Sequence, residues 1–101
     1  MGICSNVLDK KATLSLAGRF DFTMHKEFRD LSQKVLEENE LKQIEIDLKD
    51  VDYLDSSALG ILLLLKDRAT QRGISIAITG CRDNIRQILE IANFNKLFSI
   101  S

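Results

Sequence analysis

Three short apolar runs at strand spacing, each followed by a longer stretch of helical period, constrain this chain most. Ala12, Leu14 and Leu16 alternate with Thr13 and Ser15. Ile44, Ile46 and Leu48 alternate with Glu45 and Asp47, and Ile74, Ile76 and Ile78 form the third run. Side chains of a strand point to opposite faces with period two, so each run reads as a strand with one buried face. Between them, Met24, Phe28, Leu31 and Val35 recur at helical spacing through about Asn39. A second helical stretch runs from about Ser57 to Arg72, and Ile85, Ile88, Leu89 and Ala92 mark a third. Strands separated by helices need crossover connections, which favour parallel pairing.

The punctuation agrees with this order. Val7-Leu8 and the Ala12 run flank Asp9-Lys10-Lys11, which predicts a hairpin at the start. Gly18-Arg19-Phe20-Asp21 is read as breaking the strand, and Thr23 as the N-cap of the first helix. Gly73 ends the second helix, Asp83 or Asn84 opens the third, and Asn93 stops it. Phe98-Ser99-Ile100 makes a short last strand. The expectation is an α/β fold and one domain over residues 1–101, since no proline, linker or repeat interrupts the chain.

Charge and composition exclude several functions. Fourteen basic residues against fifteen acidic ones leave a net charge of −1, with no electrostatic footprint for nucleic acid. Cys4 and Cys81 lack ligand or redox spacing and read as free thiols of a reducing compartment. His25 is the one histidine, so no metal site and no cofactor are expected. No signal peptide is read at the start, and the apolar run Ala58–Leu65 is too short to span a bilayer, so a cytoplasmic location without membrane contact is expected.

One turn carries the functional argument. Asp55, Ser56 and Ser57 each have a side chain that caps a helix, yet one cap needs one acceptor. Gly60 stands inside the helix, where glycine costs about 1 kcal/mol relative to alanine. Its presence there predicts a close approach by another element or a partner. Ile61 to Leu65 is apolar all round, so a face of this helix is expected either to be covered or to meet another protein.

The whole chain resembles STAS domains of the anti-sigma-factor antagonist family. The resemblance lies in Gly18-Arg19-Phe20-Asp21, like the family's Gly-x-Leu-Asp, in Asp47-Leu48, and in Asp55-Ser56-Ser57-Ala58-Leu59-Gly60. That last run matches Asp-Ser-Ser/Thr-Gly/Ala-Leu-Gly, with Ala58 where glycine is frequent; Phe20 replaces the usual aliphatic residue. The resemblance implies a small mixed sheet of about four to five strands, with an initial hairpin and helices packed on it.

It also implies a partner switch. The unphosphorylated form binds a GHKL-type serine kinase or anti-sigma factor, is released when that kinase phosphorylates the turn, and is reset by a PP2C-type phosphatase. Ser56, directly after the acid, is the first choice of acceptor and Ser57 the runner-up. Asp21, Asp55, Ser57, Ala58, Leu59, Gly60 and Leu63 are the expected partner-binding residues. The alternative is an accessory STAS subunit of a transport or signalling complex that uses the same helix face without phosphorylation. An enzyme is not expected: there is no Gly-x-Ser-x-Gly elbow and no Gly-x-x-x-x-Gly-Lys loop. An aspartyl-phosphate receiver would need a lysine near Ile78-Thr79-Gly80, and none is there.

Overall fold

The computed structural model describes residues 2–101. Strands β1 (Gly2–Leu8) and β2 (Lys11–Phe20) form an antiparallel hairpin. Asp9 and Lys10 both adopt left-handed backbone, φ 53° and 68°. That is the geometry a two-residue hairpin loop needs to match the twist of its strands. Three crossovers come next: α1 (His25–Leu36), β3 (Gln43–Leu54), α2 (Ser56–Gln71), β4 (Ser75–Thr79), α3 (Asp83–Ile91) and β5 (Ser99–Ile100). The strand order is β1-β2-β3-β4-β5, and every pair after the hairpin is parallel. This is the mixed α/β sheet that the alternation predicts.

One face of the sheet holds the core. Ala12 and Leu14 stand in register with Ile44 and Ile46, these in turn with Ile76 and Ile78, and all are buried. The helices cover this face, α2 with Ala58, Leu62, Leu65 and Ala69. The opposite face stays polar. There Thr79 Oγ1 donates to Glu45 Oε1 at 3.1 Å, and Lys11 pairs with the same carboxylate. An open face explains why these parallel strands alternate instead of reading as continuous apolar runs.

The strands are longer than their alternation suggests. β2 continues through Gly18, whose φ of 89° suits glycine, to Phe20. β3 runs to Leu54, not Leu48. Between Ser15 and Arg19 of β2, β3 spends two extra residues, so Ser15 faces Asp47 while Arg19 faces Tyr53. Such bulges change the side-chain period. Leu48, Val51 and Leu54 therefore all reach the core at spacing three. The first helix also starts differently: Asp21, not Thr23, is the cap, on a 3-10 turn Phe22–Met24 that precedes α1. α1 ends at Leu36, short of Asn39, and Glu40 then turns through left-handed backbone, φ 63°. α3 begins at Asp83 after Arg82, which makes no side-chain cap, and Asn93, φ 63°, turns the chain beyond it.

Candidate functional site

The carboxyl ends of β2 and β3 lie side by side. The Asp55 amide donates to the Phe20 carbonyl at 3.4 Å, tying the start of α2 to the end of β2. Each strand end carries an aspartate used as a cap. Asp55 Oδ1 accepts from the Ala58 amide at 2.9 Å and from the Ser57 hydroxyl at 2.6 Å. Asp21 Oδ1 accepts from the Thr23 amide at 3.0 Å and from the Thr23 hydroxyl. The hydrogen bond from Ser57, then that from Ala58, holds the Asp55 carboxyl below the ordinary carboxylate range, although nearby Asp21 opposes this. Thr23, with Arg19 as a lesser cause, lowers Asp21 likewise.

These bonds separate the two serines. Ser57 is half-buried and its hydroxyl is committed to Asp55. Ser56, the first residue of α2, is exposed, and its hydroxyl makes no hydrogen bond among the described residues. Gly60 lies one turn further on, and among the described residues no atom beyond its chain neighbours and the local helix backbone comes within 4 Å of a Cβ built on it. The close approach expected at Gly60 therefore does not come from within the domain. Helical side chains lean toward the N-terminus, so a larger residue at this position would lie over Ser56.

The expected partner-binding residues divide by burial. Gly60 and Leu63 are exposed, and with Ser56 they line one side of α2. Leu59 is half-buried against the core. Ala58 is fully buried, so its role is to seat the helix on the sheet. Asp55 and Ser57 are hydrogen-bonded to each other beside Ser56, and Asp21 is bonded to Thr23 in the neighbouring turn. The apolar stretch Ile61–Leu65 resolves into buried Leu62 and Leu65, half-buried Ile61, and exposed Leu63 and Leu64.

Sequence reading missed Leu64, which is 54 % exposed, and three groups around the Asp21 turn. Phe22 is 69 % exposed. Its signal was an aromatic residue held between Asp21 and Thr23 in a turn. The Arg19 guanidinium lies 4.0 Å from the Tyr53 ring centroid and 3.6 Å from Asp21 Oδ2. No local pattern reveals that contact, because only the bulged register places Arg19 opposite Tyr53.

Comparison with known proteins gives consistent results. A family model described as "Mlab, STAS domain" matches residues 6–99. A STAS-domain containing protein of Pseudomonas aeruginosa (strain UCBPP-PA14) is 42 % identical over 92 residues, 91 % of this chain and 89 % of that one. Among solved structures, the anti-sigma factor antagonist SpoIIAA of Bacillus in its unphosphorylated form superimposes with a TM-score of 0.85 at 11 % identity, covering 99 % of this chain and 88 % of that one. Its phosphorylated form gives a TM-score of 0.77 at 12 % identity, covering 99 % and 91 %. The STAS domain of a SulP transporter from Vibrio cholerae gives 0.72 at 23 % identity, covering 91 % and 70 %.

Proposed function

The chain belongs to the STAS domain family, and from that premise we propose that it is a partner-switching regulator of the anti-sigma-factor antagonist kind. In this reading it is a binding module, not an enzyme, and acts in the cytoplasm. Its unphosphorylated form binds a GHKL-type serine kinase or anti-sigma factor through Ser56, Gly60, Leu63 and the Asp21 and Asp55 turns. That kinase phosphorylates Ser56 and releases it, and a PP2C-type phosphatase restores it. The observation that carries this reading is the difference between the serines: Ser56 is exposed beneath an uncovered glycine, while Ser57 is held by Asp55.

The switch works by charge. A phosphate adds roughly −1.5 to −2 charge. At the N-terminus of α2 it meets the positive end of the helix dipole, so the fold tolerates it. The similarity to both forms of SpoIIAA supports that tolerance. In a complex, the same dianion would be buried near Asp55 and Asp21, where an uncompensated charge costs several kcal/mol. About 1.4 kcal/mol already corresponds to tenfold in affinity.

The test is to incubate the protein with candidate GHKL-type kinases and ATP and to map the phosphate by mass spectrometry. Phosphate is expected on Ser56. If Ser56→Ala and Ser57→Ala both leave labelling intact, the turn is not the switch. The second reading, an accessory subunit of a transport complex, is favoured by the family model's description and by the SulP likeness. It predicts stable association through Leu63 and Leu64 that Ser56→Asp does not weaken.

A further inference from the structure

Below the phosphoacceptor turn, between α1 and α2, lies a cavity of about 120 Å³. Its apolar wall is Phe28, Ile61, Leu64 and Leu65. Its polar side is His25, Arg29, Ser32 and Arg68. His25 Nε2 is buried and has no hydrogen-bond partner among the described residues. Folded proteins pair such atoms almost always, so an unpaired one calls for a partner. Arg29 and Arg68 make no ion pair among the described residues, whereas Lys26 and Arg86 are each neutralised by an acid one turn along their own helix. Among the described residues, no acid lines the cavity. Three nitrogen-bearing side chains thus surround a space with no anion of its own.

Size and shape narrow the occupant. Sites for drug-sized ligands run from roughly 300 Å³ upward. This one holds a single side chain. The apolar wall demands methylene groups between the occupant's backbone and its charge, two in glutamate against one in aspartate. Leu64 belongs both to this wall and to the exposed side of α2. We propose that the α1–α2 cavity is the socket for one glutamate side chain of the partner that docks on α2. Its methylenes lie on Phe28, Ile61 and Leu65, and its carboxylate accepts from His25 Nε2–H and from the guanidinium groups of Arg29 and Arg68. The inference rests on the partner-binding reading above and adds the partner's chemistry to it.

Butyrate reproduces the glutamate side chain with a methyl group in place of its Cα. Titrated into the full ¹⁵N-labelled chain, it is expected to shift the His25 ring nitrogens saturably in the millimolar range. Butyramide should not, and the Arg29→Gln/Arg68→Gln double variant should lose the effect. No shift at His25, an equal shift with butyramide, or tighter binding of inorganic phosphate would overturn the assignment. This arm needs neither kinase nor phosphorylation, so it stands or falls separately from Ser56. A second arm uses a kinase that labels Ser56. Arg68→Glu is expected to weaken its binding about tenfold or more with an unchanged thermal midpoint, and unchanged affinity would overturn the socket.

Discussion

In the turn after β2, Asp21 accepts from the amide and hydroxyl of Thr23. In the turn after β3, Asp55 accepts from the hydroxyl of Ser57 and the amide of Ala58. In both, the hydroxyl two residues after the aspartate is consumed, and the residue between is presented to solvent. That residue is Phe22 in one turn and Ser56 in the other. The capping chemistry is shared, but the helix beyond the cap differs. The first turn leads into only three residues of 3-10 helix before α1. The second leads directly into the sixteen residues of α2. Only the second therefore sets an exposed hydroxyl on the first turn of a long helix, where a phosphate's charge is stabilised. The first presents an exposed aromatic ring, well suited to contact and unable to accept phosphate.

The largest expected effect would break this comparison outright. Ser56→Ala should abolish kinase labelling while Ser57→Ala keeps it, and Ser56→Asp should weaken partner binding by about tenfold or more. Equal affinities of Ser56→Ala and Ser56→Asp by calorimetry would sink the charge mechanism. Next, Asp55→Ala removes the cap of a long helix and should lower stability by about 1 kcal/mol, a Tm loss of roughly 5 °C. Asp21→Ala should lose less, because it caps a single 3-10 turn. Urea unfolding of the two variants ranks them, and a reversed order contradicts the distinction.

Gly60→Ala separates stability from function. Among the described residues, no atom beyond the chain neighbours and local helix backbone lies within 4 Å of the new Cβ, so the helix should gain about 0.5–1 kcal/mol. The methyl group also stands on the side of α2 that the proposed partner approaches, so labelling by the kinase should slow. Faster labelling of a stabilised variant would remove glycine's assigned role. Acid provides a gentler probe. Hydrogen bonds from Ser57 and Ala58 lower Asp55, those from Thr23 lower Asp21, and the bond to Lys11 lowers Glu45. The stability they contribute is complete above about pH 4, the unfolded range, and is lost as pH falls through the folded values. Urea midpoints should therefore decline below that pH, and Asp55→Asn should flatten the decline. Smallest in stability is Phe22→Ala, expected within about 0.5 kcal/mol of the parent because the ring is exposed. Reduced partner affinity in that variant would place both turns in one interface.

Much of the fold was legible because its signals are local. Alternation at Ala12–Leu16 and Ile44–Leu48 marked strands, and the Met24–Val35 stripe marked a helix. The alternation stops at Leu48 because the next core residues, Val51 and Leu54, come at spacing three. That spacing arises from the bulges, and these exist only between paired strands. Within the candidate site, the Asp55-Ser56-Ser57 run was visible as more capping groups than one helix needs. Leu64 was not separable from Leu62, because an all-apolar stretch gives no period from which to tell the outer side.

The amino-acid sequence by itself determined the order of strands and helices, the aspartate at the start of α2 and the apolar character of that helix. Each depends on residues within a few positions of one another. Tertiary structure alone decided that Ser57 is tied down while Ser56 is free, that Gly60 faces open space, and that Arg19 stacks on Tyr53. It also decided that His25, Arg29 and Arg68 line one cavity between α1 and α2. These outcomes arise from strand register, helix packing and the competition of neighbouring groups for one carboxylate, which emerge only once the chain is folded.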